Sequence, residues 1–424
     1  MQNSEKIWHR PWRYLESAIV VMALVVGGFL LQLIAGPFNF YILHQPVNYV
    51  IAGLILLAAA LSVPWQHKAV IRWLGSVYLA VPLIFALLVF GLVMGLIPQH
   101  PHLPAGMDNP VFSLGFIQVT SSWPFIIIYG LTLLSLALTT ARRLKPFSRR
   151  NVIFFLNHAG LWLVLAAAGL GAADKERYTM YVREGEMEWR VYSENKSVLE
   201  LPLAIHLIDF DMEEYPPKLA IINRQSGTPL PTEVRPALHQ IDPDQSRSQL
   251  LDWDITVEEF IARAVPSGDG AYTELPMPAS TPAAKVMAKN RLTGSMKMGW
   301  VAGGNISLPV SPLVLDEETV LVMTQAEPRR FTSHVKVFTE EGQSLESVVE
   351  VNKPLRAGHW LIYQYGYDNQ AGRMSSYSSF ELIYDPGVWV VYAGLLFWAL
   401  GSLGLILYAR ERRQIPSSLK GAEK

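Results

Sequence analysis

The sequence predicts a membrane protein of six transmembrane α-helices plus a large, mainly β extracytosolic domain between helices 5 and 6. Three observations predict it. Half of the 424 residues are apolar and only 17% are charged, with a positive mean hydropathy, too greasy for an ordinary soluble enzyme. The apolar residues come in blocks of about 20, the length a helix rising about 1.5 Å per residue needs to cross a hydrocarbon core about 30 Å thick. From Tyr178 the long blocks give way to short alternating runs, the pattern of strands.

Six windows qualify: Ser17 to Gly36, Val47 to Pro64, Trp73 to Ile97, Trp123 to Ala141, Asn151 to Ala173 and Val388 to Tyr408. The third and sixth carry no charge at all, which excludes an amphipathic surface helix. The second is short and has polar Asn48 near its start, so a re-entrant or interfacial segment is its alternative. The first follows Lys6, Arg10 and Arg13 but has too long an apolar run, and no small-x-small site, for a cleaved signal; it reads as an anchor.

Orientation follows from the basic residues of short loops. Residues 142–150, RRLKPFSRR, hold five positive charges and no acid, and the tail after Tyr408 begins ARERRQ. Placing both in the cytosol puts both termini inside and 174–386 outside. The chain then divides into a two-helix membrane extension (1–72), a three-helix membrane core (73–173), an extracytosolic β-rich domain (174–386), and a last helix with a cytosolic tail (387–424). The net charge of −1 conceals basic cytosolic edges against an acid-rich outer domain, which disfavours nucleic acid as a partner.

Within the outer domain, TMYV, EWRVYS, LAIHLIDFDME, KLAIIN, TVLVMTQ, HVKVFTE, HWLIYQYGY and SSFELIYD read as strands. They suggest an antiparallel sandwich or open barrel. Ile255 to Val265 spaces its apolar residues as a helix would, and Pro266 to Pro282 reads as a long surface loop. Asp385-Pro386-Gly387 makes the turn into the last span.

No cysteine is present, which excludes thiol redox chemistry, Cys-ligated metals and haem attached through C-x-x-C-H on this chain. No nucleophile elbow or phosphate loop stands in a fitting context, and the Gly-rich GWVAGGN near residue 300 lacks dinucleotide-binding spacing. An ionisable group inside a span is costly and therefore a functional candidate. His158, in FFLNHAGLWLVLAAAGLG, lies roughly 10 Å into the fifth span. Its imidazole suits haem iron, or a hydrogen bond to a neighbouring helix. Trp162 follows four residues later on the same face. His100 and His102, in IPQHPH beyond the third span, are weaker candidates for metal or haem. His44, His206, His239, His334 and His359 show no ligand spacing, and most tryptophans fit interfacial belts.

Several motifs, taken in order, resemble the ResB (CcsB) family of cytochrome c biogenesis proteins: GLIPQ closing the third span, Ser-Ser-Trp-Pro-Phe opening the fourth, N-H-A-G-L-W-L in the fifth, then VNKPLRAGHWLIYQYGYD and DPG before the sixth. The likeness spans roughly residues 73 to 408. It implies a subunit of the System II haem-attachment complex in the bacterial inner membrane, with the β domain periplasmic. Its partners would be a tryptophan-rich ResC/CcsA-type subunit, apocytochrome c and haem. The cofactor would be haem b, not covalently attached, with His158 as an iron ligand and Trp162 beside it. The chain departs from the family pattern in two extra N-terminal spans and in Lys353, where V-N-H-P-L is usual. It lacks the partner's tryptophan-rich motif, so it would be no autonomous enzyme. The competing expectation is a permease or scaffold subunit of another envelope complex.

Overall fold

The computed structural model describes residues 12–99, 113–144, 146–232, 235–242 and 246–414, and the chain divides into two compact units. The first comprises Met1–Lys175 with Asp385–Lys424 and is helical; the second, Glu176–Tyr384, is built of strands.

Seven α-helices are described in the first unit: α1 Tyr14–Ala35, α2 Val47–Ser62, α3 Ala69–Leu74, α4 Val77–Leu96, α5 Trp123–Arg142, α6 Arg149–Leu170 and α7 Val388–Gln414. Six segments are long and apolar enough to cross a membrane, α2 and α6 each being extended by a 3₁₀ turn. The expected third span begins differently. Helix breaks at Gly75-Ser76, because α3 ends there and the freed carbonyls find partners on α5. Ser135 Oγ donates to Leu74 O at 2.6 Å, Thr139 Oγ1 to Gly75 O at 3.1 Å, and Arg142 to the carbonyls of Ile71, Arg72 and Gly75. A helix end inside apolar surroundings needs such substitutes.

The two N-terminal helices belong to this packing. Trp73 Nε1 donates to Ser17 Oγ on α1 at 2.8 Å. A Cβ at Gly28 would sit 2.5 Å from Pro124 Cα, so glycine lets α1 approach the start of α5. The Ser-Ser-Trp-Pro-Phe motif is thus a docking element: Trp123 Nε1 donates to Gly36 O at 3.0 Å and Trp123 N to Gln32 Oε1 at 3.2 Å.

The strand unit contains three antiparallel sheets, β1 to β17, of which the principal strands are β1 Glu176–Arg183, β2 Met187–Tyr192, β3 Val198–Glu214, β4 Lys218–Asn223, β7 Trp253–Pro266, β8 Tyr272–Glu274, β9 Thr281–Asn290, β10 Met296–Ala302, β12 Thr319–Met323, β13 Pro328–Thr339, β14 Ser344–Glu350, β15 Leu355–Ala357, β16 Trp360–Tyr367 and β17 Tyr377–Tyr384. The eight-stranded sheet runs β14-β13-β3-β2-β1-β17-β16-β15. Its core, including Met180, Ile205, Leu207, Val335, Val337, Ile362 and Phe380, comes wholly from its own strands, and end strand β14 meets β15 and β16. The sheet therefore curls about itself as an open barrel. A second core, with Leu219, Ile221 and Leu321 on a four-stranded sheet and Trp253, Ile255, Val286 and Val301 on a five-stranded one, is a small sandwich.

Two expectations need correction. Ile255 to Val265 is not a helix but most of strand β7, paired with β9 along its length. Register shifts between Val257 and Glu259 and between Ile261 and Ala264 reset the alternation twice, so the apolar spacing imitates a helical period. Pro266 to Pro282 is not one loop: β7 turns back as β8 through a short hairpin, Ser267 N donating to Ala271 O at 2.8 Å, and β9 starts at Thr281.

One surface pair on the barrel makes a pH prediction. Glu188 accepts from Arg190 Nε and Nη2, each at 2.8 Å, and from the N–H groups of Trp189 and Arg190. The Arg190 side-chain bonds, foremost, hold its carboxyl at about 2 against an ordinary 4.5. A pKa depressed on folding adds stability above the ordinary value and loses it as pH falls toward the folded one. Glu188→Gln should lower stability modestly at pH 7, since Arg190 is exposed to solvent that screens the pair. It should also flatten the loss of wild-type stability between pH 4.5 and 2 in thermal melts.

Candidate functional site

Helix α6 carries the candidate residues on three faces. Ser148 caps its start, Oγ accepting from Asn151 N at 3.3 Å. One face packs on α7 through glycine: Gly160 meets the backbone of Gly394 and Trp398, and Gly401 meets Asn157. Asn157 Nδ2 donates to Ser402 Oγ at 2.7 Å across this contact, so the Asn of N-H-A-G-L-W-L is a helix-pairing residue.

His158 lies round the helix from that contact. Its ring stacks on Phe154, centroids 3.7 Å apart at 19°, and the Arg143 guanidinium lies 4.6 Å from the same Phe154 ring centre. Nδ1 is 3.1 Å from Phe154 O. A carbonyl only accepts, so Nδ1 carries the proton and donates, leaving the lone pair on Nε2. No described residue hydrogen-bonds to Nε2. This is the tautomer a metal-ligating imidazole adopts, its other nitrogen held by a backbone carbonyl.

Trp162 is buried at 6% exposure, and its Nε1 donates to Leu133 O on α5 at 3.1 Å. The indole edge is committed to the α5–α6 contact, while the ring lines an apolar cavity of about 700 Å³ with Leu56, Ala60, Ala137, Phe155 and Ala159. Its volume lies within the roughly 300–1,000 Å³ of small-molecule sites. A second cavity of about 220 Å³ shares Trp162 and Leu163 and continues along α6 to Asn48 and Asp174. His158 lines neither cavity; neighbouring Phe155, Ala159 and Trp162 do. The structure brings Trp162 to the cavity and leaves His158 beside it.

At the C-terminal end of α6, Asp174, 3% exposed, accepts from Gln45 N at 3.0 Å and Asn48 Nδ2 at 2.5 Å and pairs with His44 Nδ1 at 2.8 Å. Sequence reading missed this cluster and set His44 aside. Its members lie about 130 positions apart, and the one available signal was a polar Asn48 inside an apolar window.

His100 and His102 lie outside the described residues. In the strand unit, His334 Nε2 pairs with Glu346 at 3.2 Å, and His239 is buried, which lowers its pKa below the ordinary 6.5. Among the described residues no three His, Asp or Glu side chains gather as a metal cluster. In V-N-K-P-L, Asn352 takes φ 65°, a left-handed turn conformation asparagine tolerates. Lys353 pairs with Glu350, which Arg330 also holds at 2.6 Å. Lys353 thus serves an ion pair at the β14–β15 turn.

A family model described as the ResB-like family matches residues 308–377. The matched stretch contains V-N-K-P-L and the strand with Tyr363 and Gln364, and ends before α7; His158 lies outside it. No curated protein matches the chain.

Proposed function

We propose that this chain is a membrane subunit of a cytochrome c haem-attachment complex, conveying haem across the membrane beside α6 and presenting it for covalent attachment to apocytochrome c. The single observation that carries the reading is His158, whose Nδ1–H is tied to Phe154 O while Nε2 keeps a free lone pair within a long apolar helix. The match to the ResB-like family supports it, as does the absence of cysteine, which leaves thioether formation to the apocytochrome.

In this reading haem would supply the iron, and His158 Nε2 would be the nitrogen offered to it. Phe154 orients the imidazole through its carbonyl and ring. Beside it, Phe155, Ala159 and Trp162 form one wall of the apolar cavity, which His158 does not itself line. His158 is the one imidazole within the described spans, so a second ligand would come from a ResC/CcsA-type partner subunit. The basic 142–150 loop faces the cytosol and the strand unit the periplasm, as the positive-inside rule requires.

A visible spectrum of the detergent-purified full chain, co-expressed with such a partner, tests this. The wild type should show a Soret band that falls or shifts in His158→Ala and is partly restored by added imidazole. Equal spectra would return His158 to a structural role, and no haem in either protein would remove the reading altogether.

A further inference from the structure

His44 closes the 3₁₀ turn Phe40–Leu43 in the loop between α1 and α2. Its Nδ1 lies 2.8 Å from Asp174 Oδ1. Asp174 already accepts from Gln45 N on Oδ1 and from Asn48 Nδ2 on Oδ2, so it acts as a carboxylate, and Nδ1 carries the proton and donates. No described residue hydrogen-bonds to Nε2. The side chain is 53% exposed, while the carboxylate that holds its Nδ1 edge is only 4% exposed. The exposed half of the ring is therefore the Nε2 edge, within reach of a ligand.

Asp174 sets the ring and does not follow it, because a backbone N–H and a buried amide fix the carboxylate independently of His44. A carboxylate on one imidazole nitrogen with the other left open is the support that stands behind metal-bound histidines. It fixes the tautomer and ring angle and makes the open lone pair more basic. The donor set decides which metal. Among the described residues no three His, Asp or Glu side chains gather, and a bare Zn²⁺ takes three or four protein ligands. Haem iron needs one imidazole on a face.

Apolar and aromatic side chains flank His44 in the chain: Tyr41 is 85% exposed, Tyr49 61% and Ile42 59%. Such surface suits a flat apolar ligand. Tyr49 and Asp174 also line the smaller cavity, which with the larger one follows α6 from Phe155 to its C-terminal end. Between His158 and Asp174 the chain advances roughly 25 Å as α-helix and 3₁₀ turn. The two imidazoles are thus too far apart to share one iron, and each would serve its own.

We infer that His44 Nε2 is a separate haem-iron ligand at the C-terminal end of α6, with Asp174 as its positioning residue. The inference rests on the haem reading above and adds to it a second binding position, on the loop that the two N-terminal helices carry.

The test uses the detergent-purified full chain with hemin as probe and hemin in protein-free micelles as blank. The wild type should bind two equivalents with the Soret band of nitrogen-ligated iron. His158→Ala should keep one, His44→Ala the other, and the double variant should fall to the blank. In hemin-free His158→Ala, diethyl pyrocarbonate should modify His44, mapped by mass spectrometry, and hemin should suppress the modification. Asp174→Asn, made in the same background, keeps an oxygen for Nδ1 but removes the charge. It should weaken hemin binding about tenfold and raise the bound iron's reduction potential, which a purely structural role would not do. If His158→Ala loses all hemin and His44→Ala matches the wild type, the inference is overturned and the haem reading stands. If His44→Ala loses all hemin and His158→Ala matches the wild type, the His44 site stands and the role given to His158 fails. Spectra equal to the blank in every protein overturn both, and an unmoved potential in Asp174→Asn removes its positioning role.

Discussion

Replacing Gly160 with leucine should separate α6 from α7 and leave little folded protein in detergent. A Cβ at this position would lie 2.6 Å from Gly394 O and 2.9 Å from Phe397 C, and would also run into Trp398 N. All three obstacles are backbone, so no rotamer change relieves them. Gly394 and Gly401 make the reciprocal approaches: a Cβ at Gly394 would lie 2.9 Å from Val164 N and one at Gly401 2.5 Å from Asn157 Cα. Association within lipid relies on such close contact, because apolar side chains gain nothing by leaving lipid for each other. Overpacking costs about 1–3 kcal/mol where side chains yield, and more where only backbone can move. The loss at Gly160 should therefore exceed about 3 kcal/mol. Gly91 on α4 is the control: nothing lies within 4 Å of a Cβ there, and Gly91→Leu should leave yield and melting temperature unchanged. The readouts are monodispersity and thermal melting in detergent. If Gly160→Leu melts like the wild type, the helices do not meet as described.

The contrast between Gly160 and Gly91 shows where sequence stops informing. Both are glycines in apolar helices, and hydropathy places them in spans equally well; which one faces another backbone depends on a contact with α7 more than 230 positions away. The six long apolar helices were legible because their length and composition are those a bilayer crossing demands, and the strands from Tyr178 onward because alternation answers to a one-sided sheet. The break at Gly75 was not legible, since it depends on Ser135, Thr139 and Arg142 reaching back from α5. Strand β7 misled because two bulges reset its alternation and produced helical spacing. His158 could be singled out as an imidazole in a span, yet the hydrogen bond that fixes its tautomer lies in the geometry. The pairing of His44 with Asp174, about 130 positions apart, gave no sequence signal at all.

Asp174→Ala should give the largest loss of stability among polar substitutions in the helical unit. Its carboxylate, 4% exposed, serves three partners at the junction of α2 with the end of α6: the Gln45 N–H, the Asn48 amide and the His44 imidazole. Alanine would leave the Gln45 N–H and the buried Asn48 amide without this acceptor, and Asn48 Nδ2 would retain only a long contact of 3.4 Å to Leu170 O. Leaving buried donors unsatisfied costs about 1–3 kcal/mol each, so a loss of about 3 kcal/mol is expected. Asp174→Asn separates charge from shape: it keeps an oxygen for Gln45 N but turns an amide nitrogen toward Asn48 Nδ2, so it should recover part of the loss and not all of it. His44→Ala, by contrast, should cost little, because that imidazole is about half exposed. The ordering Ala worst, Asn intermediate and His44→Ala near wild type, read from melting temperatures in detergent, would establish that Asp174 ties α2 to α6. It would also give α2 a physical role, since its Leu56 and Ala60 form part of the cavity wall with Phe155, Ala159 and Trp162. A loss of α2 docking in Asp174→Ala should then weaken any ligand of that cavity together with the fold. Equal melting of all three variants would show that α2 is held by its apolar contacts alone.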